Sequence, residues 1–322
     1  MKNAALFLMG YLFILSVSCK KDNNSSGSGN EDVYVAGFDN GSLMYWKNGT
    51  GNFLSFAAPG YYGNALGITV NNGDVYVAGY VGDTAVYWKN GSENYLSNPD
   101  FGTAAATSIT SSGSDIYIGG FGQTNSGNGL LYWKNGLQNI ADSYNSTIGN
   151  TSIAVSGNDV YLAATLDLDN GIYWKNGVTT SFGIPSYAYG IAVSGTDVYV
   201  VGGGGTPITA GYWKNGTFTA LPSTAETSAA YGITITGSDV YICGVDNGNA
   251  VYWKNGAENI LEVGAADAIA VSGSDVYVAG YAYVPQTQYA AYWKNGVRTR
   301  FAASPPGTLA TEECHAIVLV SH

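Results

Sequence analysis

The chain has 322 residues, with 12 basic against 23 acidic side chains for a net charge of −11, and 45 glycines. This balance opposes binding to the phosphate backbone of nucleic acid. Two histidines and three cysteines are too few for a His/Cys metal cluster, and no cofactor is expected. Abundant glycine with few charges points to a β-rich body with many tight turns.

The first thirty residues stand apart. Lys2 is followed by an apolar run from Ala4 to Val17, too short to span a bilayer comfortably and of the length of a signal-peptide core. It ends at Ser18-Cys19, which resembles the cleavage and lipidation site of bacterial lipoproteins. The resemblance implies that residues 1–18 are a signal peptide and that Cys19 is the lipidated N-terminus of a bacterial outer-membrane protein. Lys20–Asn30 (KKDNNSSGSGN) is polar and Gly/Ser-rich, the composition of a flexible tether over residues 19–30. Membrane attachment is expected through the lipid alone, and the chain is expected to be a monomer. Without residues 1–18, 11 basic residues face 23 acidic ones, a net charge of −12.

Residues 31–322 are built on a repeat. Tyr-Trp-Lys-Asn-Gly begins at Tyr45, Tyr87, Tyr132, Tyr173, Tyr212, Tyr252 and Tyr292, at spacings of 42, 45, 41, 39, 40 and 40 residues. All seven tryptophans lie in these copies. Ahead of each comes a run of the form DVYVAG, starting at Asp32, Asp74, Asp115, Asp159, Asp197, Asp239 and Asp275. Ahead of that, from the second unit onward, comes a short apolar run such as GITV at Gly67 or AIAV at Ala268, and a fourth run follows the pentapeptide. Each run is short, β-branched or aromatic, and bounded by turn residues, which is the strand signal. Four strands per forty residues make the blade of a β-propeller.

The first unit begins at its second strand. His315–Val320 (HAIVLV) fits the missing first strand and has nothing after it. Joining the two gives seven four-stranded antiparallel blades, 28 strands in all, in a ring with no open edge. The fold expected is an all-β, seven-bladed β-propeller. Asn-Gly turns hairpins readily because both residues tolerate positive φ, so the third-to-fourth connections are tight and alike. All eight prolines fall in the connections that vary. One face of the disc is therefore uniform and the other variable. On the uniform face, the repeated Asp and Lys (Asp74 with Lys89 and its equivalents) are expected to form seven cross-strand ion pairs. The repeated Tyr and Trp are expected to fill the gaps between blades. Cys243 reads as a buried small hydrophobe, and no disulfide is expected with Cys314.

AIAVSGSDVYVAGY at Ala268–Tyr281 and its looser copies are similar to the repeats of bacterial seven-bladed (SBBP-type) and NHL-like propellers, with a fainter kelch likeness at Gly119-Gly120 and Gly202-Gly203. The resemblance covers the first two strands of each unit and implies the fold. The pentapeptide departs from those families, and propellers host binders and enzymes alike.

Chemistry is sparse. A nucleophile–His–acid arrangement would have to pass through His315, since His322 is the last residue. Asp167–Gly171 (DLDNG) is part of a calcium-loop pattern without its later acid and reads as a surface turn. The variable connections carry Tyr61, Tyr62, Tyr80, Tyr144, Tyr187, Tyr189, Tyr231, Tyr281, Tyr283 and Tyr289 with scattered carboxylates and no Lys or Arg. Such surfaces suit a glycan or protein partner. Two residues before the first-strand Ile, the units read Leu66, Thr107, Thr151, Tyr189, Tyr231, Asp267 and His315. Tyr189, Tyr231, Asp267 and His315 thus come to one rim, with Glu312 and Glu313 close enough to raise the pKa of His315. The expectation is a cell-envelope binding module for a glycan or protein partner. A carbohydrate-active hydrolase or lyase at this rim is the alternative reading, and a structural spacer a third.

Overall fold

The computed structural model describes residues 31–55, 62–124, 127–223, 227–284, 287–301 and 312–322. The leader, Cys19 and Tyr61 lie outside them. The described chain is all β, a propeller-like succession of antiparallel sheets without a helix.

Where 28 strands in seven sheets were expected, 27 strands form six sheets among the described residues, five of four strands and one of seven. The difference has one source. The strand Ala257–Ser272 runs on for 16 residues, pairing with Asn249–Lys254 through Ala257–Val263 and with Asp275–Val284 through Gly264–Ser272. Elsewhere the outer strand of one unit and the inner strand of the next are separate. The C-terminal strand Glu312–Ser321 pairs with Glu31–Asp39 from Asp39↔Glu312 to Glu31↔Ser321, so the last residues complete the first sheet, over a longer span than the 315–320 expected.

The aromatic residues of each pentapeptide divide between two neighbouring units. Trp88 packs in a cluster with Tyr34, Leu43 and Leu54 of the first unit, while Tyr87 joins one with Ile118 and Trp133 of the third. This follows from the strand alternation, which sends successive side chains to opposite faces of the sheet. Trp88, Trp133, Trp213 and Trp253 are fully buried. The indole N–H of Trp88 donates to the Ser55 carbonyl at 2.6 Å and that of Trp133 to the Ser97 carbonyl at 2.6 Å, in each case a residue of the preceding unit. One further cluster joins Val33, Val35 and Trp46 to Tyr277, Ala290 and Phe301, the first unit to the last.

The expected ion pairs are all present, with Lys Nζ to Asp Oδ2 distances of 2.6–3.1 Å. The strand register places each Lys opposite the Tyr of DVY, as in Tyr76↔Lys89. The ammonium accordingly sits 5.0–5.4 Å from the centre of that ring while reaching diagonally to the Asp. The asparagine is the busier residue. At φ 43–52°, its Oδ1 accepts the N–H of the residue after the Asp at 2.8–2.9 Å. Its Nδ2 donates to the Asp Oδ1 at 2.7–2.8 Å. One Asp therefore ties a turn amide, a lysine and the strand start together. Lysine and asparagine hold these carboxyls below the ordinary range, as at Asp74.

Candidate site at the inner strands

The inner strand of five units carries the same irregularity. Its register against the second strand slips by one residue, between Ala65 and Gly67, Ala106 and Ser108, Ala188 and Gly190, Ala230 and Gly232, and Ala266 and Ala268. The residues skipped are Leu66, Thr107, Tyr189, Tyr231 and Asp267. In the C-terminal strand the skipped residue is His315, because Ala36 faces Ala316 and Gly37 faces Cys314. A β-bulge takes one residue out of the alternation and re-aims its side chain. The rim positions expected from the sequence are thus the bulged residues themselves.

The bulge has a backbone requirement on the opposite strand. A Cβ at Gly79, Gly120, Gly202, Gly244 or Gly280 would lie 1.7–2.1 Å from a carbonyl oxygen of the inner strand, and one at Gly37 would lie 1.9 Å from that of Glu313. The fourth unit has Ala164 at this place. There, Asn150 opposite it forms no strand pair and turns to φ 45°, leaving both Asn150 and Thr151 out of the ladder. The residue after each bulge is small for a related reason. A Cβ at Gly190 would stand 2.7 Å from the Tyr231 carbonyl oxygen, and one at Gly232 would stand 2.9 Å from that of Asp267. Adjacent inner strands leave no room for more.

Seven equivalent triplets, from Leu66-Gly67-Ile68 to His315-Ala316-Ile317, line one cavity of about 300 Å³, at the lower end of small-molecule sites. Its two halves differ. On one side are Leu66, Thr107 and Thr151, with the Thr107 hydroxyl donating to the Thr151 carbonyl at 2.6 Å. On the other are Tyr189, Tyr231, Asp267 and His315. The rings of Tyr189 and Tyr231 meet edge to face at 5.2 Å, and Tyr187 stacks on Tyr189 at 6.1 Å. A smaller apolar recess formed by Ile148, Leu168 and Tyr187 adjoins Tyr189. Leu168, at φ 73°, is 76% exposed there.

The electrostatics of the polar half follow from burial. Asp267 is pushed up to about 7, first by desolvation and then by the carboxylate of Glu313. Tyr231 is pushed up to about 12, mainly by burial, with Tyr189 and Asp267 adding to it. His315 corrects an expectation. Glu313 Oε2 lies 3.7 Å from its Nε2 and pulls its pKa upward, yet desolvation is larger and the imidazole is held below its ordinary value. His315 Nε2 and Thr151 Oγ1 are buried without a hydrogen-bond partner among the described residues.

Glu312 and Glu313 flank the cavity without lining it. Glu312 is buried in the strand pair opposite Asp39. Glu313 accepts a hydrogen bond from Gln288 Nε2 at 2.6 Å, and Gln288 Oε1 accepts one from the Tyr283 hydroxyl at 3.1 Å. Gln288 has no counterpart in the repeat, and only the position of its strand beside the C-terminal one reveals it. Cys243 and Cys314 are buried and free. Asp167–Asp169 forms a turn, with Asn170 and Gly171 already in the next strand; Asp167 accepts the Thr147 N–H at 3.2 Å, and no group of three metal-binding side chains occurs among the described residues.

No protein-family model and no curated protein matches the chain. Among solved structures it is similar to the computationally designed protein Ika8, at 18% identity, 76% coverage of each chain and a TM-score of 0.46. A chain of a nidogen–laminin complex aligns at 10% identity over 90% of this chain and 98% of that one, with a TM-score of 0.45. The extracellular domains 1–2 of Drosophila semaphorin 1b align at 10% identity over 70% and 51%, with a TM-score of 0.34.

Proposed function

We propose that the chain is a seven-bladed propeller that acts as a binding module for a glycan or protein partner, with its site at the inner strands. The blade count rests on reading the 16-residue strand as two strands meeting at Gly264, where φ is 151°. Closure rests on the pairing of the C-terminal strand with the first and on the core cluster joining the first unit to the last. The leader, tether and lipidated Cys19 belong to the same proposal, as does the bacterial outer membrane. Metabolic labelling with a fatty acid, lost in Cys19→Ala, tests the anchor.

One observation carries the binding role. Four successive bulges aim Tyr189, Tyr231, Asp267 and His315 into a single cavity, and three of its lining atoms, Ser108 Oγ, Thr151 Oγ1 and His315 Nε2, are buried without a hydrogen-bond partner among the described residues. Buried polar atoms left unpaired cost stability, and a ligand that hydrogen-bonds to them offsets that cost. The neighbouring Tyr187 and Leu168 extend the site toward the variable connections. The test is calorimetry of the protein against panels of oligosaccharides and peptides. A ligand whose binding falls at least tenfold in Tyr231→Ala supports the site, and a ligand unaffected by Tyr189→Ala and Tyr231→Ala together places the role elsewhere. If neither panel binds, the spacer reading takes over.

One observation favours an enzyme as second reading. Asp267, pushed up to about 7, is poised to give and take a proton near neutrality. Turnover of a glycan that is abolished by Asp267→Asn and by His315→Gln would establish a hydrolase or lyase.

A further inference from the structure

We propose that the group recognised at Asp267 is an ammonium carried by the ligand, so that the cavity selects a small organic amine over its neutral counterpart. This rests on the binding role proposed above and names the chemistry of that site.

Asp267 is enclosed by protein except where it lines the cavity, and its carboxyl oxygens receive no hydrogen bond from any described residue. No Lys or Arg lines the cavity. The seven repeat lysines are taken up by their aspartates at the opposite ends of the strands, and Arg298 is paired with Glu262 at 2.8 Å. His315, which lines the same cavity, is made harder to protonate by burial. Glu313 adds further negative charge beside it. An enclosed carboxylate with no counter-charge is costly, and two nearby carboxylates exclude an anionic ligand.

A neutral hydroxyl could donate to Asp267, but it would leave the charge uncompensated. A metal ion would need several protein oxygens, and no such group is present among the described residues. An ammonium supplies both charge and donors. Tyr231, near enough to Asp267 to feel its charge, meets Tyr189 edge to face at 5.2 Å in the same cavity, and such aromatic surface favours a cation. A cavity of about 300 Å³ holds one amino-sugar ring or the end of an amino-acid side chain.

Binding should be linked to protons. The groups facing Asp267 are Glu313, His315 and Cys314 on the C-terminal strand, Tyr231 on Ser228–Thr236, Cys243 on Asp239–Asp246, and Tyr281 on Asp275–Val284. The thiols and phenols are pushed up and His315 down, while Asp267 is pushed up to about 7. With Asp267 at about 7 in the empty site, the affinity of an amine that stays protonated through pH 8, as a lysine side chain does, should rise about tenfold from pH 6 to pH 8.

Calorimetry with a glucosamine trisaccharide and a trilysine peptide, each beside its fully N-acetylated form, tests this and separates the two sources of amine. We expect at least one amine to bind at least tenfold more tightly than its acetylated form at pH 7, and the affinity of the trilysine peptide, whose side-chain ammonium groups stay charged, to rise from pH 6 to pH 8. Asp267→Asn, checked by its melting curve, should lose both the selectivity and the pH trend. The pH trend in the unmodified protein stands as evidence even if that variant fails to fold. Acetylated probes binding as tightly as the amines, or a trilysine affinity independent of pH, overturns the ammonium while leaving a binding site. Failure of both amines while the oligosaccharide or peptide panels yield a ligand does the same. Failure of all probes and both panels overturns the binding role as well.

Discussion

His315 Nε2 lies 3.7 Å from Glu313 Oε2, and the imidazole is nevertheless harder to protonate than a free histidine. Desolvation disfavours the imidazolium, and a single carboxylate beyond hydrogen-bond reach, itself engaged by Gln288, does not make up the difference. An NMR titration should place the His315 midpoint below 6.5 and move it lower still in Glu313→Gln. The folded state binds fewer protons here than the unfolded one, so this group's stability is present above the unfolded pKa and lost as pH falls below it. A midpoint above that of an unfolded peptide refutes the assignment.

Asp267 has the opposite sign. Its folded pKa, about 7, exceeds the ordinary 3.8, so its contribution is present below 3.8 and is lost as pH rises through 7. Asp267→Asn should therefore stabilise the ligand-free protein at pH 8 by about 1–3 kcal/mol, discounted for access through the cavity. The gain should shrink toward zero near pH 4. Chemical denaturation at the two pH values measures it.

Gly280 faces the bulge at Asp267, and a Cβ there would stand 2.1 Å from the Ala265 carbonyl. Gly280→Ala should destabilise by about 1–3 kcal/mol and also change Asp267, because the strand must open as it does opposite Ala164. Gly273, at φ 57° with nothing near its Cβ, is the control for a substitution that disturbs only a turn. An unchanged melt and an unchanged Asp267 titration for Gly280→Ala would contradict the bulge as the positioning device.

In the repeated turn, asparagine should matter more than lysine. Asn255 stands at φ 50°, accepts the Val240 N–H at 2.8 Å and donates to Asp239 at 2.8 Å, so Asn255→Ala should cost about 1–2 kcal/mol. Lys254 is exposed, and such pairs are weak and screened by salt. Lys254→Met should leave the melting temperature unchanged in 0.5 M salt. Equal losses for the two substitutions would reverse their ranking.

Glu312–Ser321 is the inner strand of the first sheet. Deleting residues 316–322 should expose the edge of Glu31–Asp39 and cause aggregation or loss of a single cooperative unfolding transition. A truncated chain that melts like the full one would show that the ends do not depend on each other.

The repeat was fully legible because its causes are local. Asn-Gly turns, alternating β-branched and aromatic runs, and the recurrence of Trp at forty-residue spacing dictate strands and hairpins without reference to distant residues. The missing first strand at one end and the spare one at the other were legible by counting. The equivalent positions from Leu66 to His315 could be read off the repeat, since equivalent residues occupy equivalent places.

What they do there was decided only by packing between units. That each is a bulged residue depends on a glycine in the facing strand, and the exception at Ala164 shows the constraint at work. The sign of the His315 shift depended on how much protein surrounds the ring, which no spacing reveals. The 16-residue strand, the Gln288–Glu313 bond and the unpartnered carboxyl of Asp267 likewise arise between units. Sequence alone determined the repeating strands and which residues recur at the inner edge, because those follow from neighbours along the chain. Tertiary structure decided which of them face a common cavity and with what charge, because desolvation and register are properties of neighbours in space.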